Sequence, residues 1–170
     1  MEGNMTKANE IHVRTATPED ENAIMDLARL LNNENGVFKM NEDMVRDVVR
    51  SSLYLHGGIM GVIGPVNRIE GMVLLRISQY WYSDAQFLEE MFVYVHPDYR
   101  AAKGGRARKL VEFAKKASER LELPLMIGIL SNSRTDAKTR LYERQFGSPA
   151  GAFFLYGVKT GQVPQQETVN

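Results

Sequence analysis

Residues 95 to 113 read VHPDYRAAKGGRARKLVEF. An extended run closes at Pro97, because proline has no N–H to donate to a strand ladder. A loop with adjacent glycines and several cations follows. Apolar residues then recur at helical spacing as Ala107, Leu110, Val111, Ala114, Ala117 and Leu121, with Arg108, Lys109, Lys115, Lys116, Glu119 and Arg120 on the other side. A helix opening just after such a loop presents unpaired backbone N–H groups at the positive end of its dipole, and these suit a phosphate. Gly104 and Gly105 let the backbone approach an anion closely, while Lys103, Arg106, Arg108 and Lys109 add positive charge.

The flanking elements place this loop in a sheet. FLEEMFVYV at 87–95 reads as the strand before it, and LPLMIGIL at 123–130, nearly all apolar, as a central strand covered on both faces. The loop therefore lies beyond the carboxyl end of a strand, where open α/β sheets bind ligands. Upstream, IHVRT at 11–15 is a short strand, and TPED at 17–20 starts a helix: Thr17 caps, Pro18 takes the first helical position and Asp20 completes a capping box. Ile24, Leu27, Ala28 and Leu31 form its apolar stripe, and NNENG at 32–36 ends it. A second helix starts near Asn41. GIMGVIG and RIEGMVLLRIS form an antiparallel pair about a proline turn. A short helix through LYERQ and a last strand, GAFFLYGV, complete the order. The expected fold is α/β: a mixed, mostly antiparallel central sheet with helices on both faces, in one domain over residues 11–160, with flexible ends at 1–10 and 161–170.

Composition restricts the function classes. Lysine and arginine number 21 against 21 acidic residues, so the net charge is zero and nucleic acid is disfavoured as a partner. There is no cysteine, which removes disulfides, thiolate nucleophiles and cysteine-bound zinc, and the three histidines show no metal-ligand spacing. The first ten residues lack the apolar core of a signal peptide, and no apolar run reaches the roughly 20 residues of a membrane span. A cytoplasmic protein without membrane or metal is expected.

The chain resembles the GCN5-related N-acetyltransferase superfamily in two motifs and in element order. The superfamily's signature, R/Q-x-x-G-x-G/A after its fourth strand, is commonly preceded by V-x-P-x-Y-R; here VHPDYR stands at 95–100, with Gly105 at the central glycine, Ala107 at the last small position and Ala102 where arginine or glutamine is usual. Arg100 lies two residues early, so the pyrophosphate-binding loop is lengthened and atypical. SRTDAKTRLYERQFG at 133–147 is similar to N-x-x-A-x-x-L-Y-E-K-x-G-F: Leu141, Tyr142 and Glu143 match, while Thr135 and Lys138 replace asparagine and alanine.

The resemblance implies an N-acetyltransferase that moves an acetyl group from acetyl-coenzyme A, its acyl donor, to a primary amine of a small molecule or peptide. It implies that Ala102, Lys103, Gly104, Gly105, Arg106, Ala107 and Arg108 hold the pyrophosphate. Phe92, Val93, Tyr94 and Val95, on a strand that splays from its neighbour, then face the pantetheine arm, with Gly128 suited to close backbone approach. Tyr142 matches the tyrosine that protonates the leaving thiolate. Glu89 and Glu90 break an apolar strand and point to opposite faces, so one of them, with Glu90 preferred, or water serves as general base. His96 reads as loop packing. Tyr80, Trp81, Tyr82 and Asp84, or the segment 32–40, are the candidate acceptor walls. A homodimer is allowed. The competing class is a noncatalytic module that binds coenzyme A, or RNA or the ribosome through KGGRARK and the aromatic cluster.

Overall fold

The computed structural model describes residues 10–100 and 105–158. The chain starts in β1 (Val13–Thr15) and turns through one 3-10 turn (Pro18–Asp20) into α1 (Glu21–Asn35). The turn is held by a buried carboxylate: Asp20 accepts from the Thr17 N–H at 2.9 Å and pairs with both terminal nitrogens of Arg14 at 2.8 Å. The hydrogen bonds from Arg14 outweigh burial and hold the Asp20 carboxyl below the usual carboxylate range. α2 (Glu42–Leu53) opens where expected, with the Asn41 side-chain oxygen accepting from the Met44 N–H at 3.1 Å.

β2 (Gly58–Ile63), β3 (Gly71–Gln79) and β4 (Gln86–Val95) follow as an antiparallel meander on β1. α3 (Arg106–Leu121) crosses back to β5 (Leu125–Ile127), which lies parallel to β4 at the edge of a sheet ordered β1-β2-β3-β4-β5, and α4 (Thr135–Phe146) ends the regular structure. Strand alternation divides the core between two faces. Met60, Val62, Met72, Leu74 and Tyr94 meet Ile24, Met25, Leu27, Val49 and Leu53 of α1 and α2. Val73, Leu75, Leu88 and Val95 meet Leu110 and Ala114 of α3. The expected architecture, a mixed and mostly antiparallel sheet with helices on both faces, is the observed one.

Two irregularities make room for a site. The β3–β4 register passes from Leu75↔Glu90 to Leu74↔Phe92, so Met91 has no opposite residue: a β-bulge. On its other side β4 pairs with β5 only through Leu88, Glu89 and Glu90, and from Met91 onward the two strands separate.

Two expectations need correction. GAFFLYGV at 151–158 forms no strand; Phe153 and Phe154 are 77% and 94% exposed, and Gly157 turns the chain with a φ of 79°. An apolar, aromatic composition gives a segment the capacity to pair, but a strand exists only against a partner, and here none is met among the described residues. β5 is a three-residue edge strand with Met126 exposed, not a central strand, because its outer side carries no strand among the described residues. Helix α1 ends within NNENG as expected, at Asn35, whose buried side chain finds partners on a distant loop. The 1–10 and 161–170 ends lie, apart from Glu10, outside the described residues.

Candidate active site

Glu90 sits immediately before the bulge and is 5% exposed. The Tyr142 hydroxyl, from the middle of α4, donates to its Oε2 at 2.7 Å. Burial raises the Glu90 carboxyl to about 7, against the opposing pull of the Tyr142 hydrogen bond and the Lys138 charge. The Tyr142 phenol is pushed well above its ordinary value of about 10 by burial and then by the neighbouring carboxylate. The pair thus shares an ordered proton path whose acidic member changes charge near neutrality. Glu89 is placed differently: it accepts from Ser78 Oγ at 2.7 Å and Arg76 Nη2 at 2.9 Å. Burial opposes ionisation of Glu89, but those two partners outweigh it and keep the carboxyl below its usual range. Strand alternation has separated the two acids, and Tyr142 meets only Glu90.

Between α4 and the end of β4 that has no β5 partner lies a cleft of about 250 Å³, lined by Val93, Tyr94 and Val95 from β4, Ala107 from α3, and Leu141 and Tyr142 from α4 among others. Phe92 packs instead against the α1–α2 core. Glu90 stands behind Tyr142 and is not itself part of the wall. A larger cavity of about 610 Å³ lies on the α3 side, against Ile11, Ile59 and Phe113, and neither Glu90 nor Tyr142 lines it.

The cleft wall also holds charged residues that the sequence did not single out. Arg100 donates to both oxygens of Glu34 at 2.7 and 2.6 Å, and the Tyr94 hydroxyl donates to Glu34 at 2.9 Å. Burial raises the Tyr94 phenol to about 12, helped by its bond to Glu34. Arg100, which stands two residues early in the motif, therefore ties the end of β4 to α1, while residues 101–104 of the loop lie outside the described residues. Lys138, in place of the expected alanine, donates to Ser131 Oγ at 2.7 Å and to the Ser133 carbonyl at 3.3 Å. Ser131 and Ser133 in turn donate to Asn35 Oδ1 at 3.2 and 3.1 Å, tying the end of α1 to the loop before α4. A single Glu in NNENG carries no local signal of such a role; only the misfit of Lys138 and Arg100 to the motif marked those two positions.

At the mouth of α3, Gly105 adopts φ 60° and ψ 49°, the left-handed region that favours glycine. Its neighbour Arg106 folds back on Glu70, with Nε and Nη2 at 2.9 and 2.8 Å, and lies 5.0 Å from the Tyr99 ring centroid. The remaining Arg106 Nη1 is a buried donor with no partner among the described residues. Arg108 is exposed and lies 3.7 Å from Glu112. Ala102, Lys103 and Gly104 lie outside the described residues. Gly128 is closely approached, but by a side chain: a Cβ there would stand 3.3 Å from the Phe153 ring. His96 accepts from the Asp98 N–H at 3.2 Å, as a turn residue would. Trp81 and Tyr82 stack on each other in the β3–β4 turn, 89% and 70% exposed and away from the cleft, whereas segment 32–40 supplies Glu34 and Asn35 to it. No group of three or more potential metal ligands and no helix long and apolar enough to cross a membrane occurs among the described residues.

The shift of Glu90 predicts a pH effect on folding. Its folded-state pKa lies above the unfolded value, so the native state binds more protons between about pH 4.5 and 7 and loses stability as pH rises through that window. The Glu90→Gln variant is expected to lose that slope, and to gain in denaturation midpoint on the parent above about pH 7 in urea titrations across that range.

No family model matches the chain, and no curated protein matches it. Solved structures do. A possible acetyltransferase from Clostridium difficile 630 superposes with a TM-score of 0.66 at 18% identity, over 89% of this chain and 99% of the other. An integron cassette protein from the mobile metagenome of Cole Harbour Salt Marsh gives 0.64 at 16% identity, over 89% and 92%. A ribosomal-protein-alanine N-acetyltransferase from Brucella melitensis biovar Abortus 2308 gives 0.61 at 14% identity, over 86% and 98%. At these identities the likeness is one of fold: the chain is built on the same sheet-and-helix frame as solved acetyltransferases, over nearly the whole of each.

Proposed function

We propose that the protein is an acetyltransferase that transfers the acetyl group of acetyl-coenzyme A to a primary amine of a small molecule or peptide. The observation that carries this reading is the cleft between α4 and the end of β4 that has no β5 partner, with the Tyr142–Glu90 hydrogen bond at its wall. The shared fold supports it.

The residues present fit the donor. The first amides of α3, at Arg106, Ala107 and Arg108, have no intrahelical acceptor, and the unpartnered Arg106 Nη1 is a buried donor beside them. Together with Gly105 they would hold the diphosphate, and the backbone of Val93–Val95, without a strand partner on the β5 side, would face the pantetheine arm. The donor supplies an activated acyl group as a thioester. The chain supplies position and protons: a direct attack by the amine suffices, since no cysteine exists to form an acyl-enzyme. Tyr142 donates its proton to the departing sulfur, and Glu90, 2.7 Å behind it, returns one. Because Glu90 reaches the cleft through Tyr142, the same pair accepts the proton that the amine gives up, and no net charge is left in the site.

Calorimetric titration with acetyl-coenzyme A, followed by thiol release and product mass on an amine and peptide panel, tests the reading. Binding without turnover on any amine would reduce the protein to a coenzyme A-binding module. A variant locates the diphosphate end. A β-branched residue at Gly105 is strained in the left-handed region by about 1–2 kcal/mol, so Gly105→Val is expected to raise Kd for coenzyme A about tenfold. Gly105→Asn, which tolerates that conformation, is expected to stay near the parent. Equal affinity in all three proteins would place the diphosphate elsewhere.

A further inference from the structure

Lys138 lines the same cleft as Tyr142, one helical turn earlier on α4. Its Nζ is anchored to neutral oxygens, Ser131 Oγ at 2.7 Å and the Ser133 carbonyl at 3.3 Å, and it makes no ion pair among the described residues. The charges around it come from four elements. Glu34 of α1 favours its protonated form but is engaged bidentately by Arg100, which follows β4 and opposes it. Arg134, at the start of α4, also opposes it, and Glu90 of β4 favours it. Burial is the largest influence, and the ammonium is held below its ordinary pKa. Exposed lysines such as Lys115 and Lys116 have no such environment.

From this placement we propose that Lys138 is a self-acetylation site: when no acceptor amine is present, its Nζ takes the acetyl group of acetyl-coenzyme A bound in the cleft. The inference rests on the acetyltransferase reading. In the step, the lone pair of neutral Nζ attacks the thioester carbonyl, a C–N bond forms and the C–S bond breaks. Nζ gives up one proton to the Glu90–Tyr142 pair, the sulfur takes one from Tyr142, and the products are an N-acetyl-lysine and free coenzyme A. The amide no longer carries a charge and occupies part of a cleft of about 250 Å³, so the modified protein loses room for a second donor molecule. Acceptor shortage thereby switches the protein off.

The test incubates the full chain with acetyl-coenzyme A and no acceptor, and follows intact mass and the fragment that contains Lys138. One acetyl group is expected on Lys138, at a rate that saturates with acetyl-coenzyme A and does not depend on protein concentration. The rate should exceed that at the exposed Lys115, because Lys138 lines the cleft and burial lowers its pKa, enlarging the neutral fraction of its amine. Calorimetry on the modified protein should show weakened coenzyme A binding. In Lys138→Arg the acetyl on that fragment should vanish while acetyl-coenzyme A still binds. Lys138 left unmodified, or modified no faster than Lys115, in protein that binds acetyl-coenzyme A would overturn the proposal alone. A chain with no affinity for acetyl-coenzyme A would overturn the acetyltransferase reading with it.

Discussion

Replacing Glu90 with glutamine is expected to lower kcat by about 10² to 10³-fold, within the range of a positioned acid or base, and to leave coenzyme A affinity nearly unchanged. The carboxylate is almost fully buried and its contact toward the cleft is the Tyr142 hydroxyl at 2.7 Å, so glutamine keeps the volume and an oxygen for that bond but holds no exchangeable carboxyl proton. The pH profile separates a proton-carrying role from a packing role. In the parent, kcat should rise with pH through about 7, as Glu90 ionises and becomes able to accept the amine's proton by way of Tyr142. In Glu90→Gln that limb should disappear, with the residual rate set by water. A parent limb that survives the substitution would assign the titration to another group. A fall in rate without loss of the limb would make Glu90 a packing residue.

The second large effect is expected at Tyr142. Phenylalanine keeps the ring and its contacts with Leu141 and the cleft while deleting the hydroxyl, so Tyr142→Phe should fold and bind coenzyme A close to the parent. Without the hydroxyl, the departing thiolate loses its proton donor and Glu90 loses its connection to the cleft, and kcat should fall at least as far as in Glu90→Gln, by about 10² to 10³-fold. Because the two groups act along one path, the double variant Glu90→Gln, Tyr142→Phe should be little slower than the slower single variant. Multiplying effects would show two independent tasks. Acyl donors with better leaving groups offer a further readout: a thioester of a more acidic thiol should recover part of the Tyr142→Phe loss but none of any structural defect.

What could be seen in the chain before its folding followed from short-range geometry. Helical and strand periods set which residues share a face within one element, so the two-sided core of β3, the stripe of α3 and the loop that opens it were legible from spacing alone. Asp20 and Asn41 were legible as caps because their partners lie three residues away. Glu90 and Tyr142 were legible as residue types suited to proton transfer, one from a charge in an apolar strand and the other from a motif. Their contact was not, because 52 positions separate them and a bulge at Met91 decides where β4 turns its side chains. The Glu34–Arg100 pair, 66 positions apart, depends on how the last turn of α1 meets the end of β4, a turn that Ser131 and Ser133 hold through Asn35. The apolar runs at 123–130 and 151–158 had the composition of paired strands, but pairing is a property of two segments, and the sheet left β5 at its edge. Lys138 shows the same division most plainly: the sequence marks it as a substitution for alanine, and only the packing of α4 against the parted strands makes it a half-buried amine in a cleft.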